Sequence, residues 1–490
     1  MRHSILLARS TSSAFALAFA GSLAGCGGTS ASKTSEDPVT HSDGGTTTSD
    51  GGGGDTVTVN GQSVPVAHSA HARSASSTVS SATLAGAVTA NNGFAVDLYS
   101  QVRGASATQN LLTSPISASI ALTMTYAGAS GTTASQMATA LHYGSAASTI
   151  FEGQNALSQA LASRGAAALA ADAHIASEQG QPAPSSSDYL LQIVNSVWGQ
   201  ETYTWNAPFL DILAEDYGTG VFEQDFVHDF DPARVLINDW VSTETASKIQ
   251  NLLPEGALTT DTRMVLVNAV HLKLPWSTPF DVSQTAPATF TTASSSSVST
   301  PFMNTTGTLP YVDDGNAQIV GLTLSNAQEA VVIAFPHGDL ATYEAGLAAT
   351  SAGITMPTTS ALVQLSVPKV SFTSPTFSLA DALKTMGMPV AFDKQNANFS
   401  GLCTSPPDGD TLYISDVLQK AMIAMQETGV EAAAATAVII AGDAAGMAGP
   451  PPTPIPMIVN RPYVISIVDV PTGAVLFLGH IADPTAAGGS

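Results

Sequence analysis

Glu427-Thr428-Gly429-Val430-Glu431-Ala432-Ala433-Ala434-Ala435-Thr436-Ala437-Val438-Ile439-Ile440 is the stretch on which the reading of this chain turns. It follows a strand-like segment, Val417 to Gln426, and precedes a loop rich in Gly, Ala and Pro. With a period of two, Val430, Ala432, Ala434, Thr436, Val438 and Ile440 point one way, while Glu431, Ala433, Ala435, Ala437 and Ile439 point the other. The first of these faces is uncharged throughout and small at its start, so the tape could enter an existing sheet without a steric clash. On propensity alone an alanine-rich helix beginning after Gly429 is an equal reading. The flanking sequence decides between the two.

A chain of 490 residues with 44% hydrophobic residues can bury a large core. The formal charge of −23, with only 15 Lys plus Arg, predicts a surface that repels nucleic acid and acidic polysaccharide. Arg2 and Arg9 followed by the apolar or small run Ala14 to Leu23 read as an export signal over residues 1–25, too short to span a bilayer. It ends Leu23-Ala24-Gly25-Cys26, which resembles the bacterial lipobox; Cys26 is then the lipid-modified first residue of a mature protein anchored to the cell envelope or extracellular. Cys403 is left without a disulfide partner. Residues 26–84, dominated by Gly, Ser, Thr and Ala, are expected to be a disordered tether with a mean span of about 40 Å. His41, His68 and His71 have no ligand spacing for a metal.

Globular character begins at Leu84 with an amphipathic helical pattern to Val102. Six blocks then follow in order. They are Asn110 to Ser117, with Pro115 suited to a first helical turn; Asn195 to Tyr203 with Phe209 and Tyr217; Ile237 to Val241 with Thr245, Lys248 and Ile249; Leu266 to Val270 with Trp276; Val363 to Phe372 continuing through Leu383, Gly387, Met388, Phe392 and Ala397 to Gly401; and Asn460-Arg461-Pro462-Tyr463 through Gly473, Phe477-Leu478-Gly479 and Pro484. Residues 162–188, rich in Ala, Ser and Pro, read as a surface insertion. In this order the blocks resemble the serpins, serine-protease inhibitors that trap proteases by inserting a reactive-centre loop into their main sheet.

The resemblance implies an α+β serpin fold over residues 85–490, several helices around three β-sheets, and gives Glu427 to Ile440 the place of the hinge and loop. Glu427, Gly429, Val430, Glu431, Ala432, Ala433, Ala434, Ala435 and Thr436 then form the hinge, with Val430 where threonine is commoner. Ser114, Ser117 and Asn268 fall where the family keeps a polar shutter beneath the main sheet, Gln419 where many relatives have His, and Trp276 at the breach. Family spacing from Glu427 places the reactive bond at Asp443–Ala444; Met447 and Ala441 remain alternatives, because counting back from Asn460 disagrees and the loop is longer than usual. The excess is assigned to the proline-rich run Gly449 to Pro456, expected to be extended and unable to join a ladder.

No Gly-x-Ser-x-Gly elbow, Walker loop, His-Glu-x-x-His or paired-Cys motif is present, so the expectation is an inhibitor rather than an enzyme. Implied with it are a monomer without cofactor, a target serine or cysteine protease held covalently, and no glycosaminoglycan or nucleic-acid partner. A non-inhibitory serpin that binds a small ligand or protein, or an adhesion lipoprotein, stays open; non-inhibitory members tend to carry charge or proline where Val430 to Thr436 are small.

Overall fold

Asn60 and Gly61 both adopt positive φ, 47° and 82°. That is the two-residue Asn-Gly turn that joins strands with the native twist. It links β1 (Thr56–Val59) to β2 (Gln62–Ala67), paired from Thr56↔Pro65 to Val59↔Gln62. The computed structural model describes residues 55–144, 146–350, 353–403, 411–431 and 452–486, with backbone alone at 105, 268 and 348–350.

The chain continues with α1 (Ser81–Val102), β3 (Leu111–Thr113), α2 (Pro115–Tyr126), α3 (Gly131–Ala140), α4 (Ala147–Ala162) and α5 (Arg164–Glu178). Then come β4 (Leu190–Gln200), α6 (Ala207–Ile212), β5 (Val221–Gln224), α7 (Phe226–Glu244) and β6 (Met264–Pro275). A run of strands follows: β7 (Ala286–Thr291), β8 (Ser297–Asp313), β9 (Ala317–Thr323) and β10 (Glu329–Pro336). After α8 (Leu340–Thr350) come β11 (Ser360–Pro368), β12 (Val370–Thr373), β13 (Phe377–Ser378), α9 (Ala380–Thr385), β14 (Leu418–Gln419), β15 (Met422–Gln426) and β16 (Gly429–Val430). The last strands are β17 (Ile455–Ile458), β18 (Tyr463–Asp469) and β19 (Val475–Ile481).

Two large sheets result. The first has the order β1-β2-β5-β4-β6-β16-β15-β12; the second runs β17-β11-β8-β9-β10-β18-β19-β3, with β7 on β8. Between them lies the main core, which takes Leu272 and Leu274 of β6, Met425 of β15, Val331 and Ile333 of β10, and Ile465 and Phe477 of the closing hairpin. Buried residues surround α2 on all sides, from Pro115 to Thr125. A helix so placed has no polar stripe. On the other face of the first sheet, Val267 and Ala269 of β6 pack with Ile237, Trp240 and Val241 of α7. Asn238 fastens α7 to the following loop, donating to Leu253 O at 2.9 Å and accepting from Leu253 N at 2.8 Å.

Three sequence expectations need correction. The tether does not reach residue 84. Val57, Val59 and Val64 are buried against Trp198, Phe222 and Trp240. β2 continues the first sheet through Val66↔Phe222 and Ala67↔Val221. The chain beyond it docks on α4, where Arg73 Nε donates to Asn155 Oδ1 at 3.1 Å. The alternation Thr-Val-Thr-Val before Asn-Gly was the signal, hidden by the polar composition around it. Second, the segment 162–188, at the surface as expected, contains α5, which buries Gly165, Ala168 and Ala176; a Cβ on Gly165 would sit 2.6 Å from Tyr189 O. Third, the proline-rich run ends inside a ladder: Ile455 and Pro456 pair with Val363 and Gln364 of β11. β17 is the edge strand, so Pro456 can occupy it despite its missing N–H.

Candidate functional site: the hinge and the opening below it

The strand β15 ends in a turn at Glu427 and Thr428, and Gly429 and Val430 come back between β15 and β6. On one side Met425↔Val430 pair, on the other Val430↔Leu274. Val430 is 2% exposed and belongs to the main core. At Glu431 the backbone leaves the extended conformation, with φ of 52°. A left-handed conformation is unusual outside Gly, Asn and Asp, and it marks the point where the strand stops continuing down the sheet.

Side chains fix this half-begun strand. Trp276, at the end of β6, donates its indole N–H to Gln426 O at 2.7 Å and its backbone N–H to Thr428 O at 3.0 Å. Lys369 Nζ lies 2.7 Å from Glu427 Oε2, and Thr285 Oγ1 donates to Glu427 Oε1 at 3.0 Å. Burial pushes the Glu427 carboxyl up, but the bonds from Lys369 and Thr285 outweigh it and hold the group below the usual carboxylate range. Glu431 turns away from the core, to the face that α7 covers. It makes an ion pair with Lys248 Nζ at 2.6 Å and a hydrogen bond with His271 Nε2 at 3.0 Å. Here too burial raises the carboxyl, and His271 and Lys248 more than reverse it. Nothing local marks these partners, because Lys248, His271 and Lys369 are far from the hinge along the chain.

Below Val430, β6 and β15 share no ladder among the described residues; β6 pairs with β4 and β16, and β15 with β12 and β16. Farther down, β14 again approaches β6. There Gln419 bonds both to Ser114 N and to Ser114 O, while Ser114 Oγ donates to Leu476 O at 3.0 Å. Ser114 is the residue before α2, but its side chain makes no helix cap. Ser117 is buried one turn further on, and the Asn268 backbone stands opposite Asn195 within the β4–β6 ladder. Ala432 to Thr436, Ala441, Asp443, Ala444 and Met447, like Cys26, lie outside the described residues. Among the described residues no group of three or more His, Cys, Asp or Glu could hold a metal ion, and no helix is long and apolar enough to cross a membrane.

Gly429–Val430 is thus a two-residue strand held between two others, and the next described strand is β17. The family model for serpins, described as serine protease inhibitors, matches residues 89–484. The chain belongs to the serpin family. Human plasminogen activator inhibitor 2 is 30% identical over 421 residues, covering 81% of this chain and 99% of that protein. Among solved structures, the thermophilic serpin tengpin in its native state superposes with a TM-score of 0.66 at 26% identity, over 83% of this serpin and 95% of tengpin. Thyroxine-binding globulin in complex with thyroxine gives 0.65 at 26%, over 81% and 99%. The α+β fold of helices around mixed sheets is thus the serpin fold.

Proposed function

We propose that this serpin is an irreversible, suicide-substrate inhibitor of serine or cysteine proteases. What carries the reading is that Gly429 and Val430 already stand between β6 and β15, above strand edges with no ladder between them among the described residues. The protease hydroxyl or thiol attacks the carbonyl of the residue before the reactive bond, Asp443 in the preferred register. The bond to the next nitrogen breaks, a new amino terminus leaves with the proton, and the loop remains joined to the enzyme as an acyl ester or thioester. Insertion of about fifteen residues would gain ladder bonds at about 0.5–1.5 kcal/mol each. It would also bury several apolar side chains at about 1.5–3 kcal/mol apiece. The total reaches tens of kcal/mol, beyond the roughly 5–15 kcal/mol that holds a protease domain together. Distortion of the enzyme then outruns hydrolysis of the acyl bond, and the uncleaved inhibitor is held by kinetics.

The name of the human relative supports protease inhibition. The likeness to a thyroxine carrier supports the competing reading, ligand binding without trapping, which the small residues Ala432 to Thr436 disfavour. We infer export and a lipid anchor at Cys26 from the Leu23-Ala24-Gly25-Cys26 tetrad. The test is incubation with a panel of serine and cysteine proteases. A complex that survives denaturing electrophoresis, with the protein cut near residue 443, is the expected result. Cleavage in the loop without any complex across the panel, and without a rise in melting temperature, would overturn inhibition.

A further inference from the structure

The segment that the sequence marks as additional, residues 162–188, folds as α5 and fastens together the two sheets that must shift when a strand enters. Tyr189, immediately before β4, donates its hydroxyl to Asp172 Oδ2 at 2.8 Å. Ser325, in the connection between β9 and β10, donates to the same oxygen at 2.7 Å and lies 3.3 Å from Pro275 O at the end of β6. At the start of the helix, Arg164 reaches the second sheet: its Nε donates to Asp469 Oδ1 at 2.6 Å and its Nη2 to Oδ2 at 3.2 Å. The Asp469 side chain is fully buried and that of Arg164 is 14% exposed. Asp188 adds an ion pair to Lys273 of β6 at 2.6 Å.

Which side of the opening moves follows from the other contacts. The β14–β15 side is fastened to the second sheet through Gln419, Ser114 and Leu476. Admitting a full strand requires a gap about 4.8 Å wider than a paired one, so β6 must swing away together with β4, to which it is laddered over ten residue pairs from Leu190↔Lys273 to Gly199↔Met264. The end of β6 is joined to the second sheet over Pro275 to Ser277: by the Trp276↔Leu324 bridge, by Ser277, which donates its N–H to Thr323 O at 3.0 Å and its hydroxyl to Leu324 O at 2.5 Å, and by the approach of Ser325 to Pro275 O. Attachments gathered at one end of a strand act as a pivot. The Tyr189–Asp172–Ser325 link holds the neighbouring strand as well and resists rotation about that end.

We propose that α5 is a brake on sheet opening, with Asp172 and Arg164 as positioning residues that slow loop insertion and hold the uncleaved form. The inference rests on the inhibitory reading above and concerns the control of that same opening. Asp172 accepts from both sheets through one oxygen, and those bonds part when β4 rotates.

The experiment compares full-length wild type with Asp172→Ala, Arg164→Ala and the conservative Asp172→Asn, each as intact and as loop-cleaved protein. Melting temperature and the rate of spontaneous conversion to the inserted form on warming are read for each. Asp172→Ala should lower the melting temperature of the intact form and speed its conversion roughly tenfold, the factor matching loss of a charge-assisted bond. The cleaved form should melt as wild type does, since its brake is already released. Asp172→Asn, which keeps an acceptor oxygen, should fall between. Equal losses in the intact and cleaved forms would make α5 ordinary packing and overturn the proposal, as would an unchanged conversion rate. If wild type gains no stability on cleavage, the inhibitory reading fails first and the brake falls with it.

Discussion

Gln419 holds Ser114 by both of that residue's backbone polar groups: its Oε1 accepts from Ser114 N at 3.1 Å and its Nε2 donates to Ser114 O at 2.8 Å. Both residues are buried, at 3% exposure each. One neutral amide thereby ties β14, where it approaches β6, to the second sheet. Gln419→Leu leaves a buried donor and a buried acceptor without partners, at about 1–3 kcal/mol each. The intact protein should lose about 2–5 kcal/mol in urea unfolding. Gln419→His keeps one of the two bonds and should add a pH dependence between about pH 5 and 7 that wild type lacks.

The hinge carries its own pH dependence. Hydrogen bonds and charge from His271 and Lys248 hold the Glu431 carboxyl below its ordinary value against the opposing effect of burial. A depressed carboxyl stabilises the fold above the unfolded value, about pH 4.3, and that contribution is lost as pH falls through the folded value. Lys248 is 42% exposed, so solvent screens part of the interaction. Glu431→Gln should therefore cost about 1 kcal/mol at pH 7, with the deficit shrinking toward pH 4. Urea midpoints of the two proteins at both pH values are the measurement; a deficit that does not depend on pH would mean that the ion pairs contribute nothing.

Glu329 gives the opposite sign. It is fully buried, neither carboxyl oxygen has a hydrogen-bond partner, and it stands opposite Asp469 in the β10–β18 ladder. Burial and the Asp469 charge push its carboxyl up to about 8, against a smaller lowering by Arg164. The folded state therefore keeps a proton that the unfolded state releases, and stability falls as pH rises from about 4.5 to about 8. Glu329→Gln should be near neutral at pH 4.5 and more stable than wild type by up to about 3 kcal/mol at pH 7. Parallel stability curves for the two proteins over this range would count against a protonated Glu329.

What could be read from the sequence was whatever local pattern carries. Pro115 opens α2, Thr245 bonds Ile249 N at 3.1 Å within the helix-end block, and the Asn460 to Pro484 block is the β18–β19 hairpin. The hairpin at Asn60-Gly61 was equally local, yet its strands of four and six residues are short and sit in Ser- and Thr-rich surroundings, where composition overruled period. The partners of Glu427 and Glu431 could not be read at all. Their distances in sequence from Lys369, His271 and Lys248 are closed by the sheet, and one Lys among exposed residues looks like any other. The buried face of α5 is made of Gly165, Ala168 and Ala176, small residues that draw no apolar stripe; Gly165 signals packing only once Tyr189 O stands beside it.

The lipid anchor proposed for the Leu23-Ala24-Gly25-Cys26 tetrad makes membrane attachment depend on Cys26. Cys26→Ser should therefore move the protein from the membrane fraction to the soluble one while leaving inhibition in solution unchanged. Retention of the variant in washed membranes would show that another attachment exists.

The register at the hinge decides which loop residues would face the core. Val430 pairs with Leu274 of β6 and points into the main core, whereas Glu431 turns to His271 on the other face. Continued residue by residue, that register brings Ala434 opposite Val270, a main-core residue, and Ala433 opposite His271. Ala434→Arg then asks the inserted strand to bury an unpaired charge, at several kcal/mol. If the intact protein keeps this position out of the ladder, as the inhibitory reading requires, it should change by less than about 0.5 kcal/mol. The variant should fold, meet its protease and be cut, but hydrolysis of the acyl bond would overtake a stalled insertion, so that an inhibitor becomes a substrate. Ala433→Arg, facing α7 rather than the core, should be much milder. The ratio of stable complex to cleaved product, for both variants against one sensitive protease, separates the possibilities. Undiminished complex formation by Ala434→Arg would sink the insertion mechanism, and equal damage from both substitutions would sink the facing assignment that Val430 and Glu431 establish.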